Sequence, residues 1–198
     1  MADDKATASS SDFHPTQVKG RSCAGCTMCC KLLKVEALDK PRQIWCKHCQ
    51  IGSWCKIYDT RPLACRQFYC GYLINAPLGE HWKPTSSKMV LDYEADANRI
   101  VVHVDSSRPG AWREEPFYAE IKRWAATAAK NRGQVLVWQG REAIVVLPNS
   151  EKNLGPVRHD QYVVSIERDG PAGPEFEVMI LDSDDPQMQA LKKGDAKG

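Results

Sequence analysis

The sequence predicts an α+β protein in which a cysteine-rich metal-binding module precedes a small, mostly antiparallel sheet with one main helix. Three observations carry this. All nine cysteines fall between positions 21 and 70. Short apolar runs bounded by turn residues recur between positions 89 and 181, as strands do. One stretch after Pro116 instead repeats its apolar residues at helical spacing.

Residues 1–19 read as a disordered leader, because small and polar side chains bury too little surface to offset the entropy of ordering. Residues 20–74 form the cysteine module, broken by turn signals at Lys40-Pro41, Gly52-Ser53 and Arg61-Pro62. Leu73 to Ser87, with Pro77, Gly79 and Pro84, reads as a connector. The α+β domain spans 88–182. Met89–Tyr93 and Ile100–Val104 are its first two expected strands. Pro116 can open a helix at its first position, and Phe117, Ile121, Trp124, Ala125 and Ala128 then share a face until Gly133 ends it. Val135–Trp138 with Ala143–Leu147, and Tyr162–Ile166 with Phe176–Leu181, read as two hairpins. Residues 183–198 form a polar, fraying tail.

At 42% hydrophobic and 26% charged residues the chain resembles an ordinary globular protein, which excludes collagen, coiled coil and wholesale disorder. Residues 21–70 carry nine Lys/Arg and three Asp/Glu, a net of +6, which leaves the remainder at −4. The N-terminus lacks the apolar core of a secretory signal, and no stretch approaches the ~20 apolar residues of a membrane span. The expected setting is the reducing cytosol, where thiols stay available as metal ligands.

Cys23, Cys26, Cys29 and Cys30 supply four thiols in eight residues, and Cys46, Cys49, Cys55, Cys65 and Cys70 follow. A C-x-x-C knuckle turns the chain so that both sulfurs meet one ion, and it occurs at 23/26, 26/29 and 46/49. A segment so poor in large apolar residues gains little from its own core. A structural zinc contributes on the order of 10–16 kcal/mol. The residue types exclude ions that seek oxygen ligands. Zinc is the expected occupant and an iron–sulfur cluster the alternative, since C-x-x-C-x-x-C also begins ferredoxin-type sites, although the C-P element that follows there is absent. A disulfide framework is disfavoured by compartment, buried structural cysteine explains one or two thiols of nine, and no βαβ pattern surrounds a thioredoxin-type pair. His48 lies inside a knuckle but reads as an exposed loop residue, and His14, His81, His103 and His159 stand apart from metal spacing.

Cys23-x-x-Cys26-x-x-Cys29-Cys30 followed by Cys55-Lys56-Ile57-Tyr58-Asp59-Thr60-Arg61-Pro62-Leu63-Ala64-Cys65-Arg66-Gln67-Phe68 resembles the bacterial CxxCxxCC cysteine-cluster family of zinc- or iron-chelating proteins. The resemblance covers about residues 20–74. It implies metal chelation, with Cys23, Cys26, Cys29, Cys30, Cys55 and Cys65 at motif positions and Cys46, Cys49 and Cys70 as additions. In the same motif, Tyr58 and Phe68 are expected to pack over sulfurs, and Arg61 and Arg66 are candidates to offset thiolate charge.

No phosphate-loop, dinucleotide or nucleophile-elbow motif occurs, and no catalytic residue is assigned. Asp105, Glu114 and Glu115 read as exposed carboxylates, and Trp112, Trp124 and Trp138 as core. Three functions therefore compete. The first is a metal-binding protein whose module is structural or chelating. The second is an iron–sulfur redox protein, the only enzyme class the cysteines suggest. The third is a nucleic-acid-binding zinc module, prompted by the +6 charge and the tryptophans at 45 and 54 but disfavoured because the cations are scattered among cysteines.

Overall fold

A computed structural model describes residues 15–158, 160–170 and 173–193. The expected leader therefore lies mostly outside the described residues, as do His14, His159 and the last five residues of the tail.

The protein is α+β with one main helix, as its patterning predicts. In chain order the elements are α1 (Met28–Leu32), β1 (Cys49–Gln50), β2 (Trp54–Cys55), α2 (Leu63–Arg66), α3 (Gly71–Ile74), α4 (Pro84–Ser87), β3 (Met89–Glu94), β4 (Arg99–Val104), α5 (Phe117–Lys130), β5 (Gln134–Gln139), β6 (Glu142–Val146), β7 (Glu151–Pro156), β8 (Gln161–Gly170), β9 (Gly173–Asp182) and α6 (Pro186–Lys193). Strands β3 to β7 form one sheet in that order, and β8 and β9 pair as a separate hairpin. The large sheet is mixed, because β4 and β5 run parallel with α5 as the crossover between them.

Period-two alternation sends the two sets of side chains to opposite faces. On one face Met89, Leu91, Val102, Val104, Val135, Val137, Ile144 and Val146 pack under Phe117, Ile121 and Ala125 of α5, with Trp82 and Trp112 among them. On the other, Val101, Leu136, Trp138, Ala143 and Val145 pack against Val163 and Val178 of the hairpin. Pro116 stands at the N-cap of α5, one residue earlier than expected. Leu73 to Ser87 is a packed connector, burying Tyr72 from its approach together with Leu73, Leu78 and Trp82. Part of the expected polar tail is helical, since α6 occupies Pro186–Lys193 with Met188 buried.

The cysteine-bearing segment clasps the edge strand β3. Met28 and Leu32 of α1 meet Val90 on one face of the sheet, while Tyr72 and Leu78 join the α5-side core on the other. Gly71 permits the close passage, since a Cβ there would stand 2.9 Å from the Cβ of Leu91. Arg21 closes the clasp: its guanidinium donates to the carbonyls of Tyr72 (2.6 Å), Asn75 (3.0 Å) and Leu78 and lies 4.3 Å over the Tyr72 ring.

Candidate metal centre

Short turns, a small hairpin and two short helices, α1 with Cys29 and Cys30 and α2 with Cys65, place the thiols. The Cys26 N–H donates to Cys23 O and the Cys49 N–H to Cys46 O, both at 2.9 Å, so the 23/26 and 46/49 knuckles are closed turns. Cys29 and Cys30 lie on α1 rather than on extended chain, and Cys29 pushes the Cys30 thiol up. Adjacent residues of an extended chain would point apart.

The strands β1 and β2 pair Cys49 with Cys55 and Gln50 with Trp54. Their burial alternates: Cys49 and Cys55 are half-buried, whereas Gln50 and Trp54 are exposed. The hairpin thus turns two thiols inward and an indole outward. Its tip is tied back by Gly52 N–H donating to the buried Thr27 Oγ1 at 3.0 Å. The Cys46 N–H donates to Cys30 O at 3.0 Å, which brings the second knuckle onto α1.

Eight of the nine thiols are half-buried, and Cys23 is exposed. Burial, then Cys30, pushes Cys49 up to about 11. Burial does the same to Cys70, also to about 11, with Cys23 and Cys26 adding to it. Cys30 is raised further, first by Cys29 and then by burial. Burial also raises Cys23, Cys26 and Cys65. The mutual influences define two overlapping neighbourhoods, one of Cys23, Cys26 and Cys70 and one of Cys29, Cys46, Cys49, Cys55 and Cys65, with Cys30 in both. Thiols this crowded hold their protons unless positive charge joins them.

Some of that charge comes from Lys40, which the sequence reading treated only as part of a turn. Its side chain is buried, and Nζ donates to the carbonyls of Lys31 (3.1 Å), Pro41 (3.0 Å) and Leu33 around the end of α1. Those carbonyls have no partner within the helix. Burial lowers the Lys40 pKa, and Cys46, Cys30, Cys29 and Cys65 oppose that shift. Arg61 favours the charged forms of Cys23 and Cys65, whereas Arg66 is exposed.

Phe68, like Cys26 and Cys70, packs against the cluster of Met28, Leu32 and Val90. Tyr58 does not cover sulfur: it is exposed, with the Arg61 guanidinium 3.6 Å over its ring. His48 is half-buried rather than exposed, and its carbonyl accepts from Lys56 N–H at 2.8 Å. Asp105 is likewise buried, because the Lys31 ammonium reaches it from α1 at 2.7 Å and ties the segment to the end of β4. Glu114 and Glu115 are exposed as expected, Trp112 and Trp138 are buried, and Trp124 packs at the core's edge.

Among the described residues, no group of three or more His, Cys, Asp or Glu side chains is drawn together closely enough to hold a metal ion. Thiols on closed turns are nevertheless the donor type that soft cations take. No helix among the described residues is long and apolar enough to cross a membrane. No family model, no curated protein and no solved structure matches the chain.

Proposed function

We propose that the chain is a metal-binding protein whose cysteine cluster, residues 20–74, chelates a thiophilic ion, zinc before an iron–sulfur cluster. The observation that carries this reading is that separate turns bring their cysteines to one part of the segment: Cys49 faces Cys55 across the hairpin with both half-buried, and the Cys46 N–H donates to Cys30 O on α1. Zinc would supply the positive charge that these thiols lack and would link turns that share little apolar core. Four thiols drawn from Cys29, Cys30, Cys46, Cys49, Cys55 and Cys65 would hold one ion, and Cys23, Cys26 and Cys70 belong to a second neighbourhood. Seating an ion would require the thiols to draw closer together than they stand. The chain's own contribution is to hold the turns in place, to shield them with Phe68 and to set Lys40 and Arg61 beside the sulfurs.

Elemental analysis of protein purified anaerobically from rich medium should find at least one zinc per chain, with no broad visible absorption. Matching iron and sulfide in a brown preparation would make the redox reading the better one. Metal well below one equivalent in both aerobic and anaerobic preparations would overturn both. Cys30→Ser should cost more metal than Cys23→Ser, because Cys30 lies in both neighbourhoods and Cys23 at the exposed margin.

A further inference from the structure

We propose that the outward face of the β1–β2 hairpin, with the turn that follows it, binds single-stranded nucleic acid, Trp54 serving as the base-stacking platform. This reading does not depend on which ion the inward face holds. Trp54 is 57% exposed, and its indole N–H donates to Gln50 Oε1 at 3.0 Å across the hairpin. The ring is thereby fixed in orientation while its surface stays open. Tyr58, 53% exposed, follows within a few residues and carries the Arg61 guanidinium stacked on it. Exposed aromatic rings beside cations are what unpaired bases and a phosphate chain require together.

The charge around them is predominantly positive. Lys47, Lys56 and Arg66 are exposed, and among the described residues none has a carboxylate within 4.0 Å. Asp59 is the sole acidic residue between positions 44 and 70. The sequence alone shows these cations interleaved with cysteines, which argues against a binding stripe. In the structure Cys49 and Cys55 of the hairpin are half-buried, whereas Lys47, Lys56 and Arg66 are exposed. Exposed Ile44, Ile51 and Leu63 would serve a protein partner as well, but the unpaired cations and the oriented indole favour a polyanion with stackable faces. Stacking on Trp54 needs a base free of its duplex, so the preferred strand is single.

The test is fluorescence anisotropy of the full chain under reducing conditions, with labelled oligothymidine and oligouridine of about 20 nucleotides and a duplex of equal length. Metal content is measured on the same sample, so that loss of the metal reading and loss of this one are told apart. Either single strand should bind at least about tenfold tighter than the duplex. Three phosphate contacts should give a log–log salt slope near −2, roughly a fifteenfold loss between about 50 and 200 mM salt. Trp54→Ala should weaken binding by about fivefold or more, and Trp54→Phe should restore most of it. Tyr93→Ala, which removes an equally exposed ring on β3, should change nothing. Equal binding by Trp54→Ala and the parent, or no binding of either strand at low salt, would overturn the proposal. So would self-association that Trp54→Ala abolishes in the absence of oligonucleotide, since it would make the face a protein interface.

Discussion

His103 shows how one residue couples the cysteine-bearing segment to the sheet. It is 2% exposed on β4, and Arg42, reaching in from the segment, approaches its Nδ1 with Nη1 at 3.4 Å while lying 4.2 Å over the Trp138 ring. A guanidinium only donates, so Nδ1 accepts and the neutral ring carries its proton on Nε2. That proton faces Asp92 Oδ2 at 3.9 Å, too far for a hydrogen bond, and Nε2 has no partner within bonding distance. Burial lowers the His103 pKa. Asp92 and Glu94 oppose the shift, and Arg42 reinforces it. The folded state therefore binds this proton less tightly than the unfolded chain, whose histidine titrates near ~6.5. The stability His103 contributes is present above that value. As pH falls below it, stability is lost toward the depressed folded value, by up to about 1.4 kcal/mol per pH unit. Asp92 adds a second loss at lower pH. Burial alone would raise it, but His103, the Tyr93 N–H and Arg42 hold it below the usual carboxylate range. Urea unfolding followed from about pH 7.5 to 5 should show this loss. In His103→Gln, at equal metal content, the slope should flatten, and an unchanged slope would place the acid sensitivity elsewhere.

At the scale of elements, what the sequence made legible was what is encoded locally. The helix through Phe117, Ile121 and Ala125 and the strand runs around Val101, Val137 and Val145 follow from their own periodicities, and so do the two antiparallel hairpins. The parallel pairing of β4 with β5 is not local, since it depends on α5 returning the chain over a sheet face. Strand β7, Glu-Lys-Asn-Leu-Gly-Pro, lacks alternation and is a strand only because β6 offers it an edge. At the site, cysteine spacing marked the knuckles, but it did not mark that Cys29 and Cys30 sit on a helix. Lys40 gave no local sign at all. Gly133 shows a right expectation resting on a different cause. Arg132, not Gly133, takes the left-handed conformation after α5 (φ 53°), and the Gly133 N–H closes the helix on Ala128 O at 2.7 Å. Gly133 is required instead by a close approach, since a Cβ there would stand 2.6 Å from the Asn98 carbonyl oxygen. Gly133→Ala should cost about 1–3 kcal/mol in urea unfolding, as overpacking does. Gly110→Ala, where a Cβ meets nothing within 4 Å, should stay within about 0.5 kcal/mol. Equal effects would mean that the Asn98 loop yields freely.

At the scale of the molecule, composition suggests two parts, a cysteine segment sparse in apolar residues and a sheet with enough of them for a core of its own. The packing joins them at β3. Val90 is buried against Met28 and Leu32, while Leu91, its neighbour in sequence, is buried against the other face, where Tyr72 and Leu78 arrive from the far end of the segment. Cys70 packs against both clusters. The Lys31–Asp105 pair, with side chains only 16% and 5% exposed, adds a tie whose rupture would strand a buried charge. A strand held on both faces by one segment cannot keep its packing when that segment leaves. Leu32→Ala is the direct probe, because Leu32 is fully buried, is not a cysteine and lies on the segment's side of the contact. Its loss should lower global stability by about 2–5 kcal/mol. Urea unfolding should remain a single transition shifted to lower denaturant. Hydrogen exchange in that variant should show protection falling together across residues 28–33, β3, β4 and α5, since all of them would open in the same event. If exchange accelerated only within the segment while β3 and α5 kept the parent's protection, the clasp would be a local contact, and the cysteine segment would unfold as a unit of its own.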